Sequence, residues 1–249
     1  MPDWAWPAGL GVLGAIVGSF LATLVIRWPQ ERSVIGGRSA CDGCGRTLSA
    51  WELVPLISAV ASRGKCRACG AAIDQRHWQI EAGCAVLGVI SGITVPGPIG
   101  AAGAVFGCLL LALAALDVAE FWLPDALTAT LALAGIASIT VAPPNWTDRA
   151  IGGVAGFASL WMIGFAYRRL RGREGLGGGD PKLLGAIGLW VGWAMLPFVL
   201  LLACLIGLGS VLVARLRGQH VGGSDLAPLG ALMAIAAYPV WLVMIAWTP

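Results

Sequence analysis

An all-α polytopic membrane protein is the fold class that this sequence predicts, and three observations predict it. Of the 249 residues, 58% are hydrophobic and only 12% charged, about half the roughly 25% charged residues of a soluble domain. Apolar runs near membrane-spanning length, about 17 to 25 residues, recur at 7–26, 79–96, 100–116, 127–143, 150–167, 183–194, 196–214 and 228–247. Finally, the basic residues segregate. With eight spans and the N-terminus outside, 15 of the 16 Lys and Arg residues fall on the cytosolic side and only Arg149 falls outside, as the positive-inside rule requires. The sixth run is short and continues almost directly into the seventh at Met195-Leu196-Pro197, so the alternative count is seven. A net charge of +3 is too small to suggest a nucleic-acid partner.

The first run, residues 7–26, follows Asp3 rather than a basic cluster and lacks a small-x-small cleavage signature, so it reads as a retained anchor. Trp4, Trp6, Trp146 and Trp247 then mark the outer interface, and Trp28 and Trp122 the inner one. Gly14-x-x-x-Gly18 and Gly188-x-x-x-Gly192 permit close helix approach, on which association in lipid depends. Cys84, Cys108 and Cys204 stand singly in apolar runs and read as small core residues. No internal repeat is evident.

Residues 27–78 form the one segment long enough for a cytosolic domain, inserted between the first helix (1–26) and a membrane domain (79–249). Cys41-Asp-Gly-Cys44-Gly and Cys66-Arg-Ala-Cys69-Gly make two knuckles with 21 residues between Cys44 and Cys66. Two CxxC pairs suit a tetrahedral zinc ion, each tight turn supplying two thiolates. Disulfides are the alternative, but the charge map puts the segment in a reducing cytosol. Four thiolates leave no open coordination position, so the zinc is expected to be structural, compensating for a small core.

The acidic residues carry the chemistry. A carboxylate in the membrane costs roughly 2.5 to 3.5 kcal/mol on insertion scales and is a functional candidate by default. Asp117 follows directly on the apolar run 109–116, at the cytosolic end of its helix. Asp180, in Gly177-Gly-Gly179-Asp180-Pro-Lys182, opens a helix running back out. Counting spans therefore places both at one membrane face. Two carboxyls held close in a low dielectric share a proton. Such a pair can activate a water against a carbonyl while protonating the oxyanion that develops. Asp125 follows Pro124 and suits a helix N-terminus. The glycines before Asp180 lack the Ser or Thr that a phosphate-binding loop needs after its Lys; they read instead as a floor that admits substrate backbone. There is no Gly-x-Ser-x-Gly and no His-Glu-x-x-His, and His77 and His220 read as interfacial.

Asp117 with Pro124-Asp125, followed by Gly177-x-Gly179-Asp180-x-Lys182, resembles the type IV prepilin peptidases, a bacterial branch of the GxGD membrane aspartyl proteases. Gly18-Ser-Phe-Leu, both cysteine knuckles, Leu48-x-x-Trp51-Glu52-x-x-Pro55, Arg63-Gly-Lys-Cys66-Arg67 and Glu174-Gly-x-Gly177 extend the likeness over nearly the whole chain. The resemblance implies a multi-pass enzyme of the bacterial inner membrane. Such an enzyme removes the basic leader from prepilins or secretion pseudopilins after a glycine, at the cytosolic face. It assigns catalysis to Asp117 and Asp180 and support to Asp125, Gly177, Gly179 and Lys182. It also implies S-adenosylmethionine-dependent N-methylation of the new N-terminus, with the methyl donor near Trp51 and Glu52. The chain departs from the family pattern at His77-Trp78, Pro181 and Leu226-Ala-Pro228-Leu-Gly. Glu120 and Glu174 are expected to offset the basic face near the site. Two other readings compete: a GxGD protease for other membrane substrates, and an ion transporter with a zinc module. A transporter commonly shows repeated halves and acids near the midplane, neither of which the sequence offers.

Overall fold

The structure, a computed structural model, describes residues 2–34, 36, 39–173, 175–219 and 227–247. Arg38, Glu174, His220 and Leu226, which the sequence singles out, lie outside the described residues. The elements are α1 (Ala5–Arg27), α2 (Ile57–Ser62), α3 (Gln75–Thr94), α4 (Pro98–Glu120), α5 (Asp125–Ala137), α6 (Trp146–Arg171), α7 (Gly179–Val191), α8 (Leu196–Leu216) and α9 (Leu229–Trp247). Among the described residues there is no strand beyond two isolated bridges in the cysteine segment. The fold is thus all-helical, and each predicted apolar run carries a helix.

Among the described residues, five stretches are long and apolar enough to cross a membrane: Ala5–Gln30, Pro98–Glu120, Trp146–Arg171, Trp193–Leu216 and Leu229–Trp247. The others fall short for identifiable reasons. Helix α3 begins with polar turns containing Arg76, His77 and Glu81. Helices α5 and α7 have 13 residues each, about 20 Å of rise against a hydrocarbon core of about 30 Å.

The chain divides into two compact units, Met1–Cys108 and Leu109–Pro249. In the first, α1 packs on α3 through glycine. A Cβ on Gly14 would lie 2.3 Å from the Cys84 carbonyl oxygen, and one on Gly88 2.1 Å from that of Leu10. The predicted Gly14/Gly18 pair is therefore an interface, completed by Gly88 on the facing helix. Cys84 and Cys108 are buried here, as expected of small core residues. In the second unit α7 is the central helix and packs on α5, α6 and α9. A Cβ on Gly188 would lie 2.2 Å from the Gly152 carbonyl oxygen, and one on Gly156 2.7 Å from that of Leu184. Gly188 thus finds its partner across α6, whereas Gly192 has φ +73 and ends α7. Cys204 is a correction: it is exposed on α8, a helix most of whose surface is left for lipid.

Candidate active site

Asp117 stands in the last turn of α4, 5% exposed. Its Oδ2 accepts a hydrogen bond from the Ala231 amide at 2.7 Å, and the Gly230 amide also points at the carboxylate. These N–H groups belong to the first turn of α9, where no intrahelical acceptor exists, so Asp117 caps that helix and meets its positive end. Gly230 makes the approach possible. A Cβ there would stand 3.0 Å from Asp117 Oδ2 and 2.8 Å from Leu123 Cδ1. The sequence showed this stretch only as a departure from a family pattern.

Asp180 lies in the first turn of α7, 7% exposed. Its Oδ2 accepts from the Gly177 amide at 3.2 Å, and among the described residues Oδ1 accepts nothing. The N-cap of α7 is Gly178, so Asp180 is not the cap itself. A Cβ on Gly179 would lie 2.7 Å from Leu123 Cβ. Leu123 therefore wedges against Gly179 beside Asp180 and against Gly230 beside Asp117, and the two carboxyls are within electrostatic reach of each other. The chain leaves α4 through Phe121, whose φ of +51 is an outlier for a bulky residue. That turn brings Leu123 back beneath both aspartates.

The supporting residues separate into two groups. Gly177 faces the Asp180 carboxylate and Gly179 packs on Leu123, whereas Asp125 pairs with Lys182, Nζ to Oδ1 2.6 Å, on an exposed edge. This ion pair joins the first turns of α5 and α7, residues 57 apart in sequence. Pro124 occupies the N-cap position before Asp125, as the sequence suggested. Glu120 is exposed.

The four knuckle cysteines converge in the first unit, their sulfurs all within 4.8 Å of one another. Cys41 and Cys69 Sγ are 3.8 Å apart, close to the separation that tetrahedral bonds of about 2.3 Å impose. Gly45 and Gly70, the glycines after each pair, have φ +71 and +73 and turn each knuckle back. The knuckles are copies in miniature. Cys41 N bonds Arg46 O and Cys66 N bonds Ala71 O, while Ala40–Thr47 and Lys65–Ala72 form matching bridges. The likeness of the two knuckles thus continues in the backbone beyond the Cys-x-x-Cys-Gly pattern that they share in sequence. The Cys69 and Ala68 amides hold the Cys66 thiol down at about 6. At Cys69 the Ala71 amide lowers the thiol, but the Cys44 and Cys66 sulfurs outweigh it and push it up to about 11. Four sulfurs this crowded cannot all ionise without a cation, and they fit one tetrahedral metal ion.

Trp51 is 82% exposed. Both oxygens of Glu52 are already engaged: Oε1 with Arg46 Nη2 at 2.5 Å, Oε2 with the Ser49 amide at 2.9 Å and hydroxyl at 2.8 Å. Arg46 and then the Ser49 amide hold this carboxyl at about 2. The same guanidinium lies against the Cys66 sulfur. Glu52 thus ties Arg46 to the cysteine cluster.

Two residues escaped the sequence reading. Glu81 is buried and accepts from the amide of Leu56, at 2.8 Å, a residue held at φ +62. It also pairs with His77 at 3.2 Å. His77 is therefore not simply solvated, as interfacial placement would have it. Arg149, expected on the outer face, is fully buried; nothing in its sequence neighbourhood signals that.

The chain resembles known proteins along most of its length. A family model described as the bacterial peptidase A24 N-terminal domain matches residues 12–95, and one described as the type IV leader peptidase family matches residues 104–212. A prepilin leader peptidase/N-methyltransferase of Burkholderia pseudomallei (strain 1026b) is 39% identical over 236 residues, covering 84% of this chain and 76% of that protein. Proteins of the same description from Aeromonas salmonicida (strain A449) and Pseudomonas putida are 37% and 34% identical. The matches cover 81% and 91% of this chain, and 69% and 87% of theirs. No solved structure matches it.

Proposed function

Because the chain belongs to the type IV leader peptidase family, we propose that it cleaves the basic leader from prepilins or pseudopilins after a glycine, at the cytosolic face of a bacterial inner membrane. The observation that carries this reading is the convergence of buried Asp117 and Asp180 about Leu123. Asp117 is fixed by the Ala231 amide and Asp180 by that of Gly177, so each carboxyl is held by rigid backbone. Asp180 Oδ1 is left to face a water. One member of the pair takes the proton of the attacking water, and the other protonates the oxygen of the scissile carbonyl. No covalent intermediate is needed.

In this reading the membrane part, 79–249 together with 1–26, makes eight crossings with the N-terminus outside; α3, α5 and α7 are its short or polar-ended members. Residues 27–78 form a cytosolic module stapled by one structural zinc on Cys41, Cys44, Cys66 and Cys69. N-methylation is included on the relatives' descriptions alone, and no residue is assigned to it.

The test uses purified protein in detergent with a prepilin-like peptide (basic leader, glycine, apolar helix) and a scrambled control. Wild type should cut only the former, and Asp117→Asn and Asp180→Asn should each abolish cutting. Cleavage that survives in both variants would remove the dyad; uptake of a labelled methyl group by the trimmed peptide reports the second activity. Metal analysis should find about one zinc per chain, as a single four-thiolate site dictates, and little in the Cys41→Ser/Cys66→Ser double variant.

A further inference from the structure

Arg149 is the fourth residue of α6 and is 0% exposed. An isolated buried cation is costly unless it is fully hydrogen-bonded. Here the guanidinium has no carboxylate partner among the described residues. Nη1 donates to Gly135 O at 2.6 Å, Leu189 O at 2.8 Å and Ser138 Oγ at 2.9 Å. Nη2 donates to Ala142 O at 2.8 Å and Pro143 O at 3.1 Å, and Nε to Pro144 O at 2.8 Å. All five N–H groups of the fork are used.

The acceptors are not arbitrary. Gly135 lies in the last turn of α5 and Leu189 in the last turn of α7, where carbonyls lack intrahelical partners and carry the negative end of the helix dipole. One cation therefore neutralises the C-terminal ends of two short helices and ties both to the start of α6. The opposite ends of the same helices are joined by Lys182 and Asp125. Trp190, also in the last turn of α7, donates from Nε1 to Leu131 O, halfway along α5, at 2.8 Å. Leu189 is about 13 Å along the helix from Asp180, so a shift at one end of rigid α7 is delivered to the carboxylate at the other.

We propose that Arg149 is a positioning residue: by binding the C-terminal carbonyls of α5 and α7 it fixes the axial and rotational setting of α7, and with it the placement of Asp180 against Asp117. The proposal rests on the dyad reading above. Lysine retains the charge, but its ammonium falls about one bond short of the Nη1 position and loses the Nη2 and Nε bonds to Ala142, Pro143 and Pro144 that orient the fork. Arg149→Lys should therefore lower kcat for the prepilin-like peptide by about 100-fold, the cost of a misplacement of about 1 Å, while KM and zinc content stay within about twofold. Amides of 179–191 should exchange hydrogen faster and those of α1 and α3 at the wild-type rate. In Arg149→Ala, low-millimolar guanidinium should restore cleavage; a denaturant would not rescue a chain that had merely unfolded. Ser138→Ala, which removes one acceptor and leaves the charge bonded, should lower kcat about threefold, as loss of one hydrogen bond would. Wild-type kcat in Arg149→Lys, or in Ser138→Ala if the lysine variant does not fold, overturns the proposal. Full cleavage by both Asp117→Asn and Asp180→Asn would instead overturn the dyad, whatever Arg149 does.

Discussion

Substituting the glycines before Asp180 by alanine one at a time separates a flexible loop from a packed one. At Gly179 a Cβ would fall 2.7 Å from Leu123 Cβ and 3.1 Å from its Cδ1. Ordinary contact begins at 3.4 Å, so the overlap is about 0.7 Å. The opposing atom is attached directly to backbone and cannot swing away, so the first turn of α7 must move relative to the 121–124 turn by a comparable amount. Asp180 is the next residue. Displacements approaching 1 Å can cost about 100-fold in rate, and overpacking of this kind about 1 to 3 kcal/mol in stability. Gly179→Ala should thus lose about 10- to 100-fold in kcat on the prepilin-like peptide, with a lowered melting temperature in detergent. At Gly178 a Cβ meets nothing within 4 Å, and its φ of −65 suits any residue. Gly178→Ala should keep wild-type kcat. Equal losses at both positions would refute the packing argument and restore loop flexibility as the reason for the glycines.

Three further outcomes follow from the same contacts. Gly188→Ala sets a methyl 2.2 Å from the Gly152 carbonyl; thermal melting should show α6 and α7 destabilised by about 1 to 3 kcal/mol, and an unchanged melt would contradict the close contact. Glu52→Gln leaves Arg46 poorly held against Cys66; zinc release to a chromogenic chelator should speed by about 10- to 100-fold, as losses around metal ligands do, with no such change in Trp51→Ala. Asp125→Lys should impair cleavage and Asp125→Lys/Lys182→Asp should recover most of it. Because both side chains are largely exposed, stability should hardly move in either variant.

The helices and the candidate aspartates were legible in the sequence because each is a local signal. Apolar length announces α4 and α9, and an acid at the end of an apolar run announces Asp117. The CxxC-Gly knuckles were legible for the same reason: the glycine after each pair is needed at positive φ. Contacts between distant segments were hidden. Nothing local pairs Lys182 with Asp125, and nothing around Arg149 says that five carbonyls from three segments will surround it. Glu81 was hidden by its setting in an apolar run, where its partner is the amide of strained Leu56 rather than a charge. The bonding of Glu52 to Arg46 and Ser49 was likewise not read from the sequence.

The shortness of α7 bears on how such a site can work at all. A helix of 13 residues cannot hold its own position by spanning the bilayer, yet it carries a carboxylate that, in the dyad proposed above, a displacement of about 1 Å would disable. The chain answers with restraint from every side. Gly152 and Gly156 bring α6 into backbone contact, and Trp190 bonds α5. Arg149 holds one end, and Leu123 with the Lys182–Asp125 pair holds the other. Each of these contacts has its partner in a segment that lipid cannot replace. The glycine run then has a definite division of labour: Gly179 is small so that Leu123 can fit, Gly177 so that its amide can reach Asp180, and Gly178 alone has room to spare. Preorganisation rather than loop mobility is what this arrangement supplies to a reaction that needs two acids held at one place.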